Sequence, residues 1–318
     1  MKDFSFALNN LDIRKKIFIA YSGGIDSTVL LHIFHSLSIE RKLSLEAIHI
    51  NHNLNDKSDV WAKHCKVECK KLGIPLKIVS TEINKDGGGL ESAARKERYK
   101  IFSNFLKDSE QILTAHHKDD VTETIMLRLF RGTGIDGLAG LSEKRELANG
   151  FLIRPLLLLS KEQIKDHAKT YKLNYIEDCS NFKDEQDRNF IRNKLLPIID
   201  TRWNEASTRI SNASQITKSK LKIYNSLFRS RYHHLLSGDL NLKELRSHDK
   251  EIIKEIIRFR LKESNIAVPS QKVMNEILKT FIDSNPGPKS IVQWKRSDGD
   301  QVGGLIIYRN KSILIQEN

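Results

Sequence analysis

Six consecutive residues, Ser22, Gly23, Gly24, Ile25, Asp26 and Ser27, lie between the apolar runs Ile17–Ala20 and Val29–Leu31. Two glycines let a backbone approach a ligand closely. Ser22, Ser27 and Thr28 add hydroxyl donors. A turn of this kind that feeds a helix offers unpaired N–H groups and the positive end of a helix dipole, which suits an anion such as phosphate. The loop lacks the Gly-Lys-Ser/Thr ending of a Walker A motif, so no lysine of its own follows the phosphates. Asp26 stands there instead. A carboxylate beside phosphates is repulsive unless a cation lies between them, so Asp26 implies Mg²⁺.

A second group of chemically capable residues follows at His116–Glu123 (HHKDDVTE). Asp120 and Glu123 are three apart at a predicted helix start, so both carboxylates leave one face. Such a pair can hold Mg²⁺, grip an ammonium group or accept a proton; it can also simply complement a helix N-terminus, a role that suits Asp119. Asp26 and Asp120 are the expected Mg²⁺ ligands. Arg95, Arg98, Arg188 and Arg192 are candidates to neutralise phosphate charge. The histidines His49, His52, His116 and His117 suit nucleotide or RNA contacts better than Mg²⁺, which prefers oxygen ligands. Cys65 and Cys69 are spaced as one face of a helix and read as small core residues, with Cys179 far away in sequence. The segment Gly132–Gly140 reads either as a stretch that closes over the site or as a helix end and turn, and Gly87–Gly89 reads the same way.

These residues need a frame. Lys16–Tyr21, Leu45–Ile50, Leu76–Ser80 and Gln111–Ala115 read as strands. Helical patterns over Ser27–Ser38, Asp59–Leu72, Glu91–Leu106 and Asp119–Phe130 alternate with them. That alternation predicts an α/β fold, a parallel sheet with helices on both faces. Ligands of such sheets bind beyond the carboxyl ends of the strands. Ser22–Ser27, Asn51–Asn53 and His116–Asp120 all fall at such ends, so three loops are expected to meet in one crevice. A helix over Lys161–Tyr171 and a polar segment Glu177–Arg192 follow. Beyond Pro197 the pattern changes to helices over Asn204–Leu236, Asp249–Glu263 and Gln271–Asp283. Short strands then follow at Ser290–Trp294, Gly304–Tyr308 and Ser312–Gln316, with Asp-Gly and Arg-Asn turns. The domain boundary is expected near residue 205, giving a catalytic domain over 1–205 and a smaller, mainly helical domain over 206–318.

The 318 residues carry 53 Lys+Arg against 40 Asp+Glu, a formal net charge of +13. The excess is uneven: residues 201–318 hold 21 basic against 12 acidic side chains, including Lys218, Lys220, Lys222, Arg229 and Arg231. A basic second part points to a polyanionic partner. No apolar stretch approaches the roughly 20 residues that a membrane span needs. The N-terminus lacks the apolar core of a signal peptide. The expected compartment is the cytoplasm, with no membrane partner and a homodimer as an allowed assembly.

SGGIDS resembles the PP-loop signature of the ATP pyrophosphatase family, whose members split ATP into AMP and pyrophosphate and adenylate a carbonyl oxygen. Four further stretches narrow the resemblance: IHINHNL (48–54), GLESAARKERY (89–99), TAHHKDDVTETIMLRLFRGTGIDGLAGL (114–141), and RPLL (154–157) with EDCSNFKDEQDRNFIRNKLLP (177–197). In this order and spacing they resemble the tRNA(Ile)-lysidine synthetase family, densely over about residues 16–200. The resemblance implies a ligase that uses ATP, with Mg²⁺, and free L-lysine. It would convert the wobble cytidine of the isoleucine tRNA with anticodon CAU to lysidine, through an adenylated tRNA and with release of AMP and pyrophosphate. It implies nucleotide binding by Ser22, Gly23, Gly24, Ile25, Asp26 and Ser27, and catalytic roles for Asp26, Asp120, Glu123, Arg95 and Arg192. Residues 206–318 become a tRNA-binding domain. Longer members carry a further C-terminal domain. The rival within the superfamily is a tRNA thiolation enzyme, which needs paired cysteines, usually C-x-x-C; this sequence has none.

Overall fold

The computed structural model describes residues 5–53, 58–83, 90–177, 186–295 and 302–318. Gly87–Gly89, Cys179, the Asp298-Gly299 turn and residues 178–185 of the polar segment lie outside the described residues. Two compact units are formed, one from residues 1–84 with 97–221 and the other from 85–96 with 222–318.

The first unit is built on a six-stranded sheet: β1 (Ile17–Ala20), β2 (Leu45–Asn51), β3 (Leu76–Ser80), β4 (Gln111–Leu113), β5 (Lys144–Leu147) and β6 (Gly150–Ile153), in the spatial order β3-β2-β1-β4-β6-β5. The first five in that order run parallel; β5 pairs antiparallel with β6. The β5–β6 hairpin is absent from the sequence expectation. KREL is polar and GFLI is four residues long, too short for a periodic signal, so only pairing beside β4 reveals them.

Side-chain alternation divides β1 between two cores. Ile17 and Ile19 face a core that includes Val29, Leu30, Phe34, Cys65, Leu113, Ile153 and Ile164. Phe18 faces a second core with Ile48, Tyr99, Phe102, Ile112 and Leu152. The first core seats α1 (Ile25–Arg41), α2 (Ser58–Lys71) and α6 (Lys161–Thr170), and the second seats α3 (Leu90–Phe105). Helices therefore cover both faces, as the sequence predicts. Four loops leave the carboxyl ends of β1, β2, β4 and β6, and α4 (Lys118–Phe130) follows the third of them.

The short α5 (Ile135–Leu138) sits between Gly132 and Gly140, both with positive φ, and the Arg128 guanidinium donates to the carbonyls of Gly137 and Gly140. Of the two readings of Gly132–Gly140, the helix end and turn is the one built. Further on, α7 (Asp187–Phe190), a π turn at Ile191–Leu195 and α8 (Leu196–Arg202) pack Ile191 and Leu196 on Met126 of α4. The long α9 (Ala206–Tyr232) begins in this unit, where the Thr122 hydroxyl donates to the Ser207 carbonyl.

The second unit holds α10 (Leu242–Leu245), α11 (Lys250–Glu263) and α12 (Gln271–Ile277), continued by a π turn at Leu278–Ile282. Its antiparallel sheet has the order β7-β10-β9-β8: β7 (Leu240–Asn241), β8 (Ile291–Trp294), β9 (Gly304–Arg309) and β10 (Ser312–Glu317). Its core includes Phe228, Ile256, Ile257, Phe259, Phe281, Ile306 and Ile313, with the Phe228 and Phe259 rings stacked at 4.7 Å. The Arg309–Ser312 turn places Asn310 and Lys311 at positive φ, as a tight hairpin requires.

Candidate active site

The glycine-rich loop leaves β1 and becomes the first turn of α1. Gly24 caps that helix without a side-chain hydrogen bond, and the first intrahelical bond runs from the Thr28 amide to the Gly24 carbonyl at 2.9 Å. The amides of Ile25, Asp26 and Ser27 precede that bond, so they remain available to an anion. Gly23 has φ +87°, and a Cβ there would meet Ile176 Cδ1 at 2.9 Å and Cys65 Sγ at 3.0 Å. Glycine is thus required twice, for conformation and for space. The loop is braced from within. The Ser22 and Ser27 hydroxyls lie 3.0 Å apart, Ser27 Oγ donates to the Gly24 carbonyl, and Thr28 Oγ1 donates to the Gly23 carbonyl. The Ile176 amide donates to the same Gly23 carbonyl at 2.9 Å. Ile25 packs against the first core and anchors the start of α1.

The loop after β4 brings its charged residues to this turn. His117 is buried, its Nε2 3.8 Å from Asp26 Oδ1 and 3.4 Å from Asp120 Oδ2, its Nδ1 3.4 Å from Asp119 Oδ2. Burial pulls the imidazole pKa down, but the Asp119, Asp120 and Asp26 carboxylates outweigh it and the net shift is upward. The His117 amide donates to Asp120 Oδ2 at 2.9 Å. Burial likewise pushes the Asp120 carboxyl up, but His117 and Arg188 prevail and hold it well below the usual carboxylate range.

The segment after residue 186 completes a partly buried ionic knot, with Arg192 at its exposed side. Arg188 Nε donates to Glu123 Oε2 at 2.7 Å and its Nη2 to Asp120 Oδ1 at 2.8 Å. Arg192 donates through Nε to Glu123 Oε1 at 2.6 Å and through Nη2 to Oε2 at 2.8 Å. Glu123 is fully buried, and both its oxygens are occupied by the two guanidiniums. Arg188 and Arg192 follow one another at i, i+4 across the junction of α7 and the π turn, so both reach the same face of α4.

Lys161 is the contribution that the sequence reading missed. It is the first residue of α6, and its Nζ lies 2.5 Å from Asp26 Oδ1. No local pattern around SKEQ marks it, since the contact spans 135 positions. A lysine at the start of a helix that follows a core strand was the available signal.

The sequence-predicted residues thus separate into groups. Ser22, Gly23, Gly24, Asp26, Ser27, Asp120, Glu123 and Arg192 come together in the first unit, joined by Arg188 and His117. Arg95 stands on α3 within residues 85–96, which group with the second unit. Arg98 lowers the His52 imidazole together with burial, the larger cause, to about 4. His49 bonds the Tyr21 carbonyl at 2.9 Å and lies 3.4 Å from Cys65 Sγ. Cys65 and Cys69 are buried core thiols that burial pushes up to about 12. Among the described residues no cluster of three or more His, Cys, Asp or Glu forms a metal cage. Asp26 and Asp120 nevertheless converge on one imidazole nitrogen, and two carboxylates completed by phosphate oxygens and water suit Mg²⁺, which rarely takes an all-protein cage.

Residues 2–199 match the family model described as a PP-loop domain. Three curated relatives, each named tRNA(Ile)-lysidine synthase, illustrate the likeness. That of Alkalilimnicola ehrlichii is 44% identical over 197 residues, covering 62% of this chain and 44% of the relative. That of Buchnera aphidicola subsp. Schizaphis graminum is 38% identical over 285 residues, 86% of this chain and 63% of the relative. That of Wigglesworthia glossinidia brevipalpis is 34% identical over 295 residues, 89% of this chain and 74% of the relative. The chain therefore spans from under half to about three quarters of the length of these relatives. Among solved structures, the U34-tRNA thiolase NcsA from Methanococcus maripaludis, with its 4Fe-4S cluster, superposes with a TM-score of 0.54 at 18% identity, covering 68% of this chain and 77% of that one. This last likeness concerns the fold alone.

Proposed function

This chain belongs to the PP-loop family and, within it, to the tRNA(Ile)-lysidine synthases, and from that premise we propose that it ligates free lysine to the wobble cytidine of the CAU-anticodon isoleucine tRNA. The supporting observation is the convergence of an anion-binding turn, two acidic side chains and two arginines at the carboxyl ends of one parallel sheet. In the first step a bond forms between the cytidine O2 and the α-phosphorus of ATP, and the bond to the β-phosphate oxygen breaks with release of pyrophosphate. In the second the lysine ε-amine attacks C2, loses a proton, and AMP departs with the oxygen.

The amides of Ile25–Ser27 and the Ser22 hydroxyl hold the phosphates, while Ser27, whose hydroxyl donates to the Gly24 carbonyl, keeps the loop in shape. Arg188 and Arg192 offset charge that develops on them, and Glu123 fixes both guanidiniums in place. Its oxygens are committed to that task, so Glu123 serves as a positioning carboxylate. Asp120 has a depressed pKa, which makes it a poor base and a good permanent anion; it is suited to attract the lysine ammonium or a cation. Asp26 and Asp120 would hold Mg²⁺, which when bound offsets phosphate charge. Arg95 is retained as a phosphate candidate, and residues 206–318 as the tRNA-binding part. Among the described residues no helix is long and apolar enough to cross a membrane.

A tRNA thiolation reading receives less support. Cys65 and Cys69 are buried with raised pKa values, the opposite of reactive thiols. The deciding assay supplies the protein with CAU isoleucine tRNA, ATP, Mg²⁺ and labelled lysine. Label in tRNA with matching AMP and pyrophosphate is expected. Sulfur transfer in the presence of a donor, without lysine transfer, would replace this reading by the rival.

A further inference from the structure

The glycine-rich loop carries a carboxylate where other phosphate-binding loops carry a lysine, and the tertiary structure brings a lysine to that carboxylate from α6. Three features make Lys161 more than an incidental ion pair. Its backbone is fixed. Ser160 caps α6 by accepting from the Gln163 amide, while the Gln163 side chain accepts from the Ser160 amide. The Lys161 amide itself donates to Asp119 Oδ2 at 2.8 Å, and the Lys118 amide donates to the Leu159 carbonyl at 2.8 Å. The start of α6 is therefore stapled to the start of α4, and Ile164 and Ala168 bury the helix in the first core.

Its side chain, by contrast, is reachable: the Lys161 and Asp26 side chains are each 32% exposed, so an entering ligand can meet the ammonium. Finally, its ammonium lies where charge is needed. Asp26 is the second residue of α1, inside the turn whose amides are open to an anion. Phosphates entering there meet a carboxylate that must be neutralised or displaced.

Resting on the PP-loop reading above, we propose that Lys161 is the phosphate-binding cation of this site. Without nucleotide it is stored on Asp26. When ATP enters, its ammonium transfers to the β- and γ-phosphates, the part that leaves as pyrophosphate. Lys161 thereby does from α6 what the lysine of a Walker loop does from within the loop, and it distinguishes ATP from AMP.

Calorimetric titration of the full chain with Mg²⁺-ATP and, separately, with AMP tests this. Lys161→Ala should weaken ATP binding by about tenfold, the effect of one lost charge-assisted hydrogen bond, while AMP affinity stays within about twofold. Lys161→Arg should restore most of the ATP affinity and guards against a variant that fails to fold. Unchanged ATP affinity in Lys161→Ala would overturn the proposal, and so would equal loss of ATP and AMP, which would make Lys161 a support of the loop. Wild-type protein that binds neither nucleotide would remove the underlying PP-loop reading, an outcome distinct from a lost preference for ATP in the variant alone.

Discussion

Glu123 shows how a site residue is defined by its partners. In the sequence it pairs with Asp120 on one helical face; in the structure it is the buried anchor of two partly exposed arginines, Arg188 and Arg192. Removing the buried charge leaves the two arginines uncompensated, at a cost below the roughly 3–5 kcal/mol of a fully buried pair, because solvent screens Arg192. Glu123→Gln keeps the shape and is expected to lower the unfolding free energy by up to that much, read as a lower urea midpoint at unchanged slope, with loss of AMP release; a wild-type midpoint would show that the arginines do not depend on it. His117 makes a pH-dependent prediction. Its folded pKa is raised above the ordinary value near 6.5, so its favourable contribution is full below about pH 6.5. That contribution is lost as pH rises through the folded value. Urea midpoints of wild type and His117→Gln should therefore differ most below about pH 6.5 and converge as pH rises above it. A difference that is constant with pH would mean that folding does not shift the imidazole's protonation. Asp120 has the opposite sign: its contribution is present above about pH 4 and is lost as pH falls.

At the scale of elements, the site depends on how helices begin. The starts of α1, α4 and α6 meet, and each is held differently: α1 by its internal serine and threonine bonds, α4 by the Asp120 carboxylate folding back to the His117 amide, α6 by the Ser160 cap. Ser160→Ala removes the α6 cap and should cost about 1 kcal/mol. Because Lys161 follows directly, the same change should weaken ATP binding more than AMP binding, a comparison read in one titration series. If stability falls and both nucleotides bind as before, the cap serves the fold alone. The strands β1–β4 and the helices that alternate with them were legible in sequence because apolar runs and 3.6-residue patterns are local. The β5–β6 hairpin was not, since its polar edge strand owes its conformation to neighbours rather than to its own residues.

At the scale of the whole molecule, the distribution of charge bears on the proposed contact with tRNA. Residues 201–318 carry an excess of nine basic side chains. Not all are available to phosphates. Lys218 is half-buried and donates to the Leu141 carbonyl, and Arg229 pairs with Glu263 at 2.8 Å. Lys220, Lys222 and Arg231 are exposed. If this part grips phosphates, affinity for tRNA should fall steeply with salt, by about 10³ between 50 and 200 mM for six or so contacts. A flat binding curve would remove that role. The sequence alone pointed to the kind of chemistry proposed, because SGGIDS, HHKDD and RNFIRN are contiguous, and short-range backbone rules place such segments on strand ends and helix starts. What the tertiary structure alone decided was how the charges pair. Lys161 meets Asp26 across 135 positions and Arg192 meets Glu123 across 69. Electrostatic partnership depends on distance in space, and only the parallel sheet, by bringing the ends of β1, β4 and β6 together, sets that distance.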